Sequence, residues 1–273
     1  MKLLTIFCIA ILTFNHVLAN DINQEFSYPG GIYVKEINFD EFQNGFYYLD
    51  IKVPTLKKNN NYYLLFGIPR DIDIKTKNII LKNGGDDYVL SLTLKTKSFG
   101  KQYINVSEKF INPSDNVIER IIKEKNILDS VRNKWISNNI DTDFILPVIG
   151  RISGVFGTDR FYNNKRGNYH NGVDFAASTG TNIVAPSSGV VLLTGDFFYN
   201  GKFVYMDHGM NLKSIFIHMD SVNVKKGDYI NKGDVIGHVG NTGKSTGPHL
   251  HWSVTLNSIY VDPMIFINNT IIH

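Results

Sequence analysis

Residues 248–256 read PHLHWSVTL, and their alternation decides how the second half of the chain folds. In a β-strand, successive side chains point to opposite faces of the sheet. The even positions from 250 to 256 are all apolar, whereas the odd positions carry His249, His251, Ser253 and Thr255. The pattern predicts a strand with one face in a hydrophobic core and the other face presenting two imidazoles.

Two further stretches carry residues of the same chemistry. In HNGVD, residues 170–174, the four-residue spacing brings His170 and Asp174 to the same side of an extended chain. Over 214–219 strict alternation places His218 on the face of Phe216, opposite Ile217. Six of the eight histidines lie between residues 170 and 251. Three extended segments can therefore present polar side chains to one groove.

A metal site explains this concentration of histidines better than a hydrophobic core does. Imidazole and carboxylate groups are good zinc ligands, and a catalytic zinc site uses three protein ligands with a fourth position open. A single histidine on a strand is more often a surface residue, but the set taken together favours a metal. His208, in an apparent turn, and His238, in a Gly-rich hairpin, are weaker candidates.

The rest of the chain predicts a mainly β protein with a helical linker. Short apolar stretches from about 25 to 112 alternate with turn clusters such as 57–61 and 83–87, which is typical of a small β-sandwich. Apolar residues then recur every three or four positions from Val117 to Trp135, which indicates an amphipathic helix. We expect an N-terminal β-sandwich at 20–112, a helical linker at 113–143 and a second all-β domain at 144–273.

The first residues predict export. Lys2 precedes an apolar run at 3–14, and Ala19 closes the segment with a small side chain, as in a signal peptide cleaved after residue 19. An uncleaved membrane anchor is the alternative, but the run is shorter than the roughly 20 residues that span a bilayer. The single cysteine, Cys8, would leave with the signal peptide. We expect a periplasmic or secreted protein with no stable membrane insertion.

The charge balance argues against a nucleic-acid partner. The 28 Lys and Arg residues are nearly matched by 25 Asp and Glu residues, giving a formal net charge of +3. Proteins that bind the nucleic-acid backbone normally concentrate basic residues on one face.

Three motifs resemble those of the LytM or lysostaphin-type zinc metallopeptidases, the M23 family. They are HNGVD (170–174), FIHM (216–219) and GPHLHW (247–252). The likeness spans about 144–267 and includes residues 156–160, 180–189 and 261–263. YPGG at 28–31 and the helical linker also resemble exported cell-wall members that carry a β-sandwich ahead of the peptidase. The resemblance implies a LytM-type, sandwich or barrel-like peptidase domain.

The resemblance also implies a role for each candidate residue. Zn²⁺ would be held by His170, Asp174 and His251, with His218 and His249 as catalytic histidines in the cleft. The implied reaction is hydrolysis of peptide bonds in peptidoglycan stem peptides or cross-links, which makes peptidoglycan the expected partner.

Two other functions stay open. One is a catalytically silent LytM-like module that activates a separate cell-wall amidase; silent members characteristically lack ligands, whereas all five positions are present here. The other is a wall-binding adaptor whose N-terminal sandwich does the binding. The departures from the family pattern are mild: Ile217 and Met219 flank His218, and Asn164 stands where Gly is common.

Overall fold

The computed structural model describes residues 24–137, 140–267 and 271. The predicted signal peptide, with Cys8, lies outside this range. The first part of the chain contributes the strands β1 (Ile32–Ile37), β2 (Phe46–Tyr48), β3 (Ile51–Val53), β4 (Thr55–Lys58), β5 (Asn61–Gly67), β6 (Asn78–Asn83), β7 (Asp86–Ser91) and β8 (Lys101–Ile104). It also contains two helices, α1 (Phe39–Asn44) and α2 (Asp115–Arg132), and short 3₁₀ turns at Gln24–Phe26 and Glu108–Phe110.

The first seven strands form two sheets that pack face to face. One sheet has the order β1-β5-β4 and the other the order β3-β2-β6-β7, with antiparallel pairing throughout. Tyr33, Leu64 and Phe66 of the first sheet meet Phe46 and Leu81 of the second in a shared core. This arrangement is a small β-sandwich.

The second part of the chain is built around a ten-stranded sheet. Its main path has the order β17-β14-β15-β16-β19-β12-β9. The strands of this part are β9 (Arg151–Gly154), β10 (Asp159–Tyr162), β11 (Lys165–Arg166), β12 (Val173–Ala176), β13 (Asn182–Val184), β14 (Gly189–Phe197), β15 (Gly201–Asp207), β16 (Leu212–Val222), β17 (Tyr229–Ile230), β18 (Val235–Val239), β19 (His249–Leu256) and β20 (Ile259–Val261). A 3₁₀ turn follows at Pro263–Phe266. The mainly β fold class predicted from the sequence is confirmed.

The sandwich and the large sheet share a core. Along β5 the side chains alternate, so that Leu64 faces the sandwich interior while Leu65 packs in the same cluster as Leu256 and Val261 of the large sheet. The β1-β5-β4 sheet is therefore buried on both faces, which explains the continuous apolar run in β5. Three layers result: the outer sheet of the sandwich, its inner sheet, and the large sheet.

The segment between the two parts lies against the large sheet. β8 pairs in parallel with β10, so residues 101–104, inside the range predicted for the sandwich, form a three-stranded sheet with β10 and β11. The C-terminal end of α2 packs Leu128 and Val131 onto the large sheet. None of the helices in the described ranges is long and apolar enough to span a membrane.

A buried lysine of the large sheet binds the C-terminal end of α2. Lys213 of β16 is fully buried, and its Nζ donates hydrogen bonds to the carbonyl oxygens of Arg132 at 2.6 Å and Lys134 at 2.8 Å. It also contacts Asn211, and an Asp207 carboxylate oxygen lies 3.7 Å away. These contacts hold the linker over the sheet face that carries His251.

Candidate functional site

Three side chains from two segments converge on one point of the large sheet. His170 Nε2 lies 2.9 Å from Asp174 Oδ1 and 2.9 Å from His251 Nδ1, and His251 Nδ1 lies 2.8 Å from Asp174 Oδ1. All three residues are buried. Among the described residues, this is the cluster of His, Cys, Asp and Glu side chains that could hold a metal ion.

Strand register brings the cluster together. Asp174 on β12 is the cross-strand partner of His251 on β19, so their side chains share one face. His170 lies in the loop just before β12, where its backbone N donates to Thr158 O at 2.8 Å. Gly172 permits the segment before β12 to lie close to β19, because a Cβ at residue 172 would lie 2.4 Å from Trp252 O and 2.8 Å from His251 Nε2.

The hydrogen bonds behind the cluster leave its inner atoms as acceptors. His170 Nδ1 lies 2.8 Å from the Val155 carbonyl, which can only accept, so Nδ1 carries the proton and Nε2 keeps its lone pair. On the far side of the second ring, His251 Nε2 lies 2.8 Å from Ser253 Oγ, whose hydroxyl points to Asn171 Oδ1. Two imidazole lone pairs and a carboxylate oxygen therefore face one another. This donor set fits a zinc ion.

The electrostatics agree with that fit. Burial raises the pKa of the Asp174 carboxyl, but the adjoining His170 and His251 side chains outweigh burial and hold that pKa well below its usual range. For His251, burial lowers the pKa to about 4 even though Asp174 opposes the shift. At neutral pH the site thus offers a carboxylate and a neutral imidazole, the forms that bind metals.

Arg160 was not singled out from the sequence as a site residue. Its Nη2 contacts Asp174 Oδ2, the carboxylate oxygen that faces away from the cluster, and its Nε donates to Gln102 Oε1 at 3.1 Å. Gln102 belongs to β8, ahead of the large sheet. A residue distant in sequence therefore helps to orient the Asp174 carboxylate through its contact with Arg160. Sequence spacing carries no signal for such a contact.

The side chain of His218 lies in the groove because β16 is irregular there, which strict alternation does not predict. Phe216 and Met219 are both fully buried in the core, and Ile217 is the register partner of His251 on the groove face. Alternation predicts that His218 shares the face of Phe216, opposite Ile217; instead Phe216 lies in the core, and Ile217 and His218 both line the groove. A bulge in β16 and a left-handed backbone at His218, with φ of 66°, turn the ring back into the groove.

The two remaining groove histidines lie beside the His170-Asp174-His251 cluster. The ring centroid of His218 is 4.9 Å from that of His249 and 6.3 Å from that of His251. His218 Nδ1 donates to Thr242 O at 2.8 Å, and His249 Nδ1 donates to Gly247 O at 2.8 Å. Each ring therefore keeps a lone pair on Nε2, and His249 Nε2 lies 3.9 Å from Asp174 Oδ1. Burial, with the neighbouring imidazoles, lowers the pKa of His218 to about 3.

His208 and His238 lie outside this cluster. His208 is buried between the Ser188 carbonyl, 3.0 Å from Nδ1, and Ser214 Oγ, 2.7 Å from Nε2. His238 is bound to Ser221 Oγ at 2.7 Å in the hairpin. Both have structural hydrogen bonds that account for them.

A cavity of about 660 Å³ opens beside the cluster. His170, His218 and His251 line it, together with Phe110 from the segment that leads into α2. A second cavity, of about 230 Å³, contacts Asp174, His218 and His249.

Comparison with known proteins places these features in a family. Residues 168–263 match peptidase family M23. The chain is 35% identical over 135 residues to the peptidoglycan DD-endopeptidase ShyA of Vibrio cholerae, covering 49% of this chain and 28% of that protein. ShyB, a peptidoglycan DD-endopeptidase of the same organism, is 26% identical over 195 residues, covering 71% of this chain and 42% of that protein. The chain spans less than half the length of these relatives.

A solved structure matches almost the whole chain. It is that of a candidate M23 peptidase from Pseudomonas aeruginosa, with a TM-score of 0.71 and 28% sequence identity, covering 92% of this chain and 98% of that chain. The mainly β fold, the converging His-Asp-His cluster and the family match together show that residues 168–263 form a domain of peptidase family M23.

Proposed function

We propose that this chain is a zinc-dependent endopeptidase that hydrolyses peptide bonds in peptidoglycan. The observation that carries the proposal is the convergence of His170 Nε2, Asp174 Oδ1 and His251 Nδ1 within 2.9 Å of one another, open to a groove that holds two more imidazoles. Three acceptor atoms at such distances repel one another unless a cation lies among them.

The three ligands would be His170, Asp174 and His251. When bound, zinc supplies Lewis acidity that polarises a carbonyl group and eases the deprotonation of water. Val155, Ser253 and Arg160 hold the far sides of the ligands and keep their metal-facing atoms aligned.

His218 and His249 would move the protons. In each ring Nε2 is unprotonated while Nδ1–H is fixed by a backbone carbonyl, and both rings lie beside the cluster. One such nitrogen can take a proton from the attacking water, and an imidazolium so formed can stabilise the oxyanion or return the proton to the leaving amine. Both rings have Nδ1–H on a backbone carbonyl, so either ring can act as base or as acid.

The relatives and the N-terminal sequence support a substrate and a location. ShyA and ShyB are named peptidoglycan DD-endopeptidases, which favours peptide cross-links as the substrate. The signal sequence proposed at 1–19 would deliver the enzyme to that substrate. Gln102 and Phe110, from the range 20–112, line the two cavities, and the described residues of 24–137 add no ligand to the His-Asp-His cluster.

Two measurements test the proposal. Elemental analysis should find about one zinc per chain, as expected for a three-ligand site. Purified peptidoglycan digested with the zinc-loaded protein should release fragments whose masses show a cleaved peptide cross-link, and a chelator should stop the release. A zinc-loaded protein that releases nothing alone, but stimulates a separate amidase, would favour the regulator instead.

A further inference from the structure

The larger cavity, beside the cluster of His170, Asp174 and His251, is lined by positively charged side chains. Its charged lining residues other than histidine are Arg160, Lys165, Arg166 and Lys244. No Asp or Glu occurs among the described residues that line it. Arg160 is neutralised by Asp174, and Arg166 has Asp159 at 3.7 Å. Of the remaining two, Lys165 is exposed to solvent, whereas Lys244 is half-buried.

Lys244 lies where a substrate must pass. It lines both the cavity that contains His170 and His251 and the cavity that contains Asp174 and His249. It belongs to the turn between β18 and β19, and its backbone N donates to Tyr199 O at 2.8 Å, which fixes the turn against the groove. The residue is thus held beside the site rather than on a free loop.

The ammonium group of Lys244 lacks an anionic partner. Its Nζ lies 3.3 Å from the ring centroid of Tyr162 and 5.8 Å from that of Tyr199. In the described part of the chain no carboxylate forms a salt bridge with it; burial, together with the charge of Arg160, lowers its pKa to about 8. Aromatic rings compensate only part of the cost of removing an ammonium from water. An anion from outside the chain would supply the rest.

We propose that Lys244 binds a free carboxylate of the substrate peptide close to the scissile bond. The identity of the peptide rests on the proposed function; the need for an anion rests on Lys244 and its surroundings alone. A carboxylate fits because the half-buried Nζ offers donors beside two phenol rings, and a peptide in the groove brings its own carboxylates there. The site would favour peptides that keep this acid over peptides in which it is amidated.

Hydrolysis of two matched substrates tests the inference. One is a cross-linked peptide dimer released from peptidoglycan, and the other is the same dimer with its carboxylates amidated. Wild-type protein should have a lower KM for the acid. Lys244→Gln should raise the KM for the acid by about 10-fold to 100-fold, the usual effect of losing a charge-assisted hydrogen bond, with little change in kcat or in the KM for the amide.

Two variants serve as controls. Lys244→Arg keeps the charge and should retain most of the preference for the acid. Lys225→Gln removes an exposed lysine remote from both cavities and should change neither KM. Equal KM values for acid and amide in the wild type, or an equal rise for both in Lys244→Gln, would overturn the inference.

A separate outcome would count against the proposed function. If the wild type cleaves neither dimer, calorimetric titration of the same two peptides still decides the role of Lys244. Tighter binding of the acid, lost in Lys244→Gln, would support the carboxylate site. Equal binding of acid and amide would reject it.

Discussion

His249 and His251 lie two residues apart on one face of β19, yet their surroundings differ. His251 is buried, with Nδ1 within 2.8 Å of Asp174 Oδ1 and Nε2 fixed by Ser253. His249 is partly exposed, and its Nε2 is 3.9 Å from the same carboxylate oxygen. The first position suits a metal ligand, and the second suits a group that acts on the substrate.

Substitution of these two residues should separate metal binding from turnover. His251→Ala removes one of three proposed ligands, so zinc content and hydrolysis should fall together. His249→Ala should keep nearly stoichiometric zinc while losing about 10²-fold to 10⁴-fold in rate. Elemental analysis beside peptidoglycan release measures both, with circular dichroism to confirm folding. Loss of zinc from His249→Ala but not from His251→Ala would reverse the assignment.

His208 lies outside the candidate site, but its titration should make the free energy of unfolding depend on pH. Burial lowers its pKa in the folded protein to about 4, against about 6.5 in an unfolded chain. Between these values the unfolded chain binds more protons, so the free energy of unfolding falls as the pH falls from 6.5 to 4, by about 3 kcal/mol in all.

The variant His208→Gln should flatten this dependence, although its stability at pH 7 is lower. Because burial also lowers the pKa values of His218 and His251, some slope should persist. Urea unfolding of the metal-free protein at several pH values measures the slope, and His238→Gln, at a partly exposed position, is the matched control. Parallel curves for His208→Gln and the wild type would contradict the prediction.

The pairing of β12 with β19 depends on a glycine. A Cβ at Gly172 would lie 2.4 Å from Trp252 O and 2.8 Å from both His251 Nε2 and Ser253 Oγ. Gly172→Ala should push the strands apart and move Asp174 away from His251. We expect zinc affinity to fall about 10-fold to 100-fold, as for other losses of support behind a metal ligand, and the free energy of unfolding to drop by about 1–3 kcal/mol.

Competition with a coloured zinc chelator measures that affinity, and thermal unfolding follows stability. Gly100→Ala is the control, because a Cβ there meets nothing within 4 Å. An affinity unchanged in Gly172→Ala would mean that the strands tolerate the methyl group and that close approach at this point is not required.

Regular strands explain what could be predicted of the site. In β19 the alternation places Leu250 and Trp252 in the core and His251 in the groove, as the sequence pattern predicts. In β16 a bulge breaks the two-residue period, so His218 lies in the groove without Phe216, whose face the pattern predicts it to share. Arg160 also escaped prediction, because its contact with Asp174 depends on strand pairing rather than on spacing.

The order of the layers could not be predicted from the sequence either. The apolar run in β5 indicates that both faces of this strand are covered. The run does not indicate which sheet covers each face. Here the inner sheet of the sandwich covers the large sheet, and Asn257 Oδ1 accepts a hydrogen bond from the backbone N of Gly67 at 2.7 Å across that contact. Arg70 adds a second link, donating to Gly157 O at 2.8 Å and to Asp159 at 2.9 Å.

The shared core predicts that the second part of the chain is unstable alone. A chain beginning at residue 140 would lose Ile32, Val34 and Leu65, which pack with Leu256 and Val261. Burial of each such side chain contributes roughly 1.5–3 kcal/mol, and a domain has only about 5–15 kcal/mol in total. The shortened chain should therefore melt at a lower temperature than a chain beginning at residue 24, bind a hydrophobic dye and aggregate. Calorimetry with dye binding measures this difference; equal melting temperatures would show that the large sheet does not depend on the sandwich for stability.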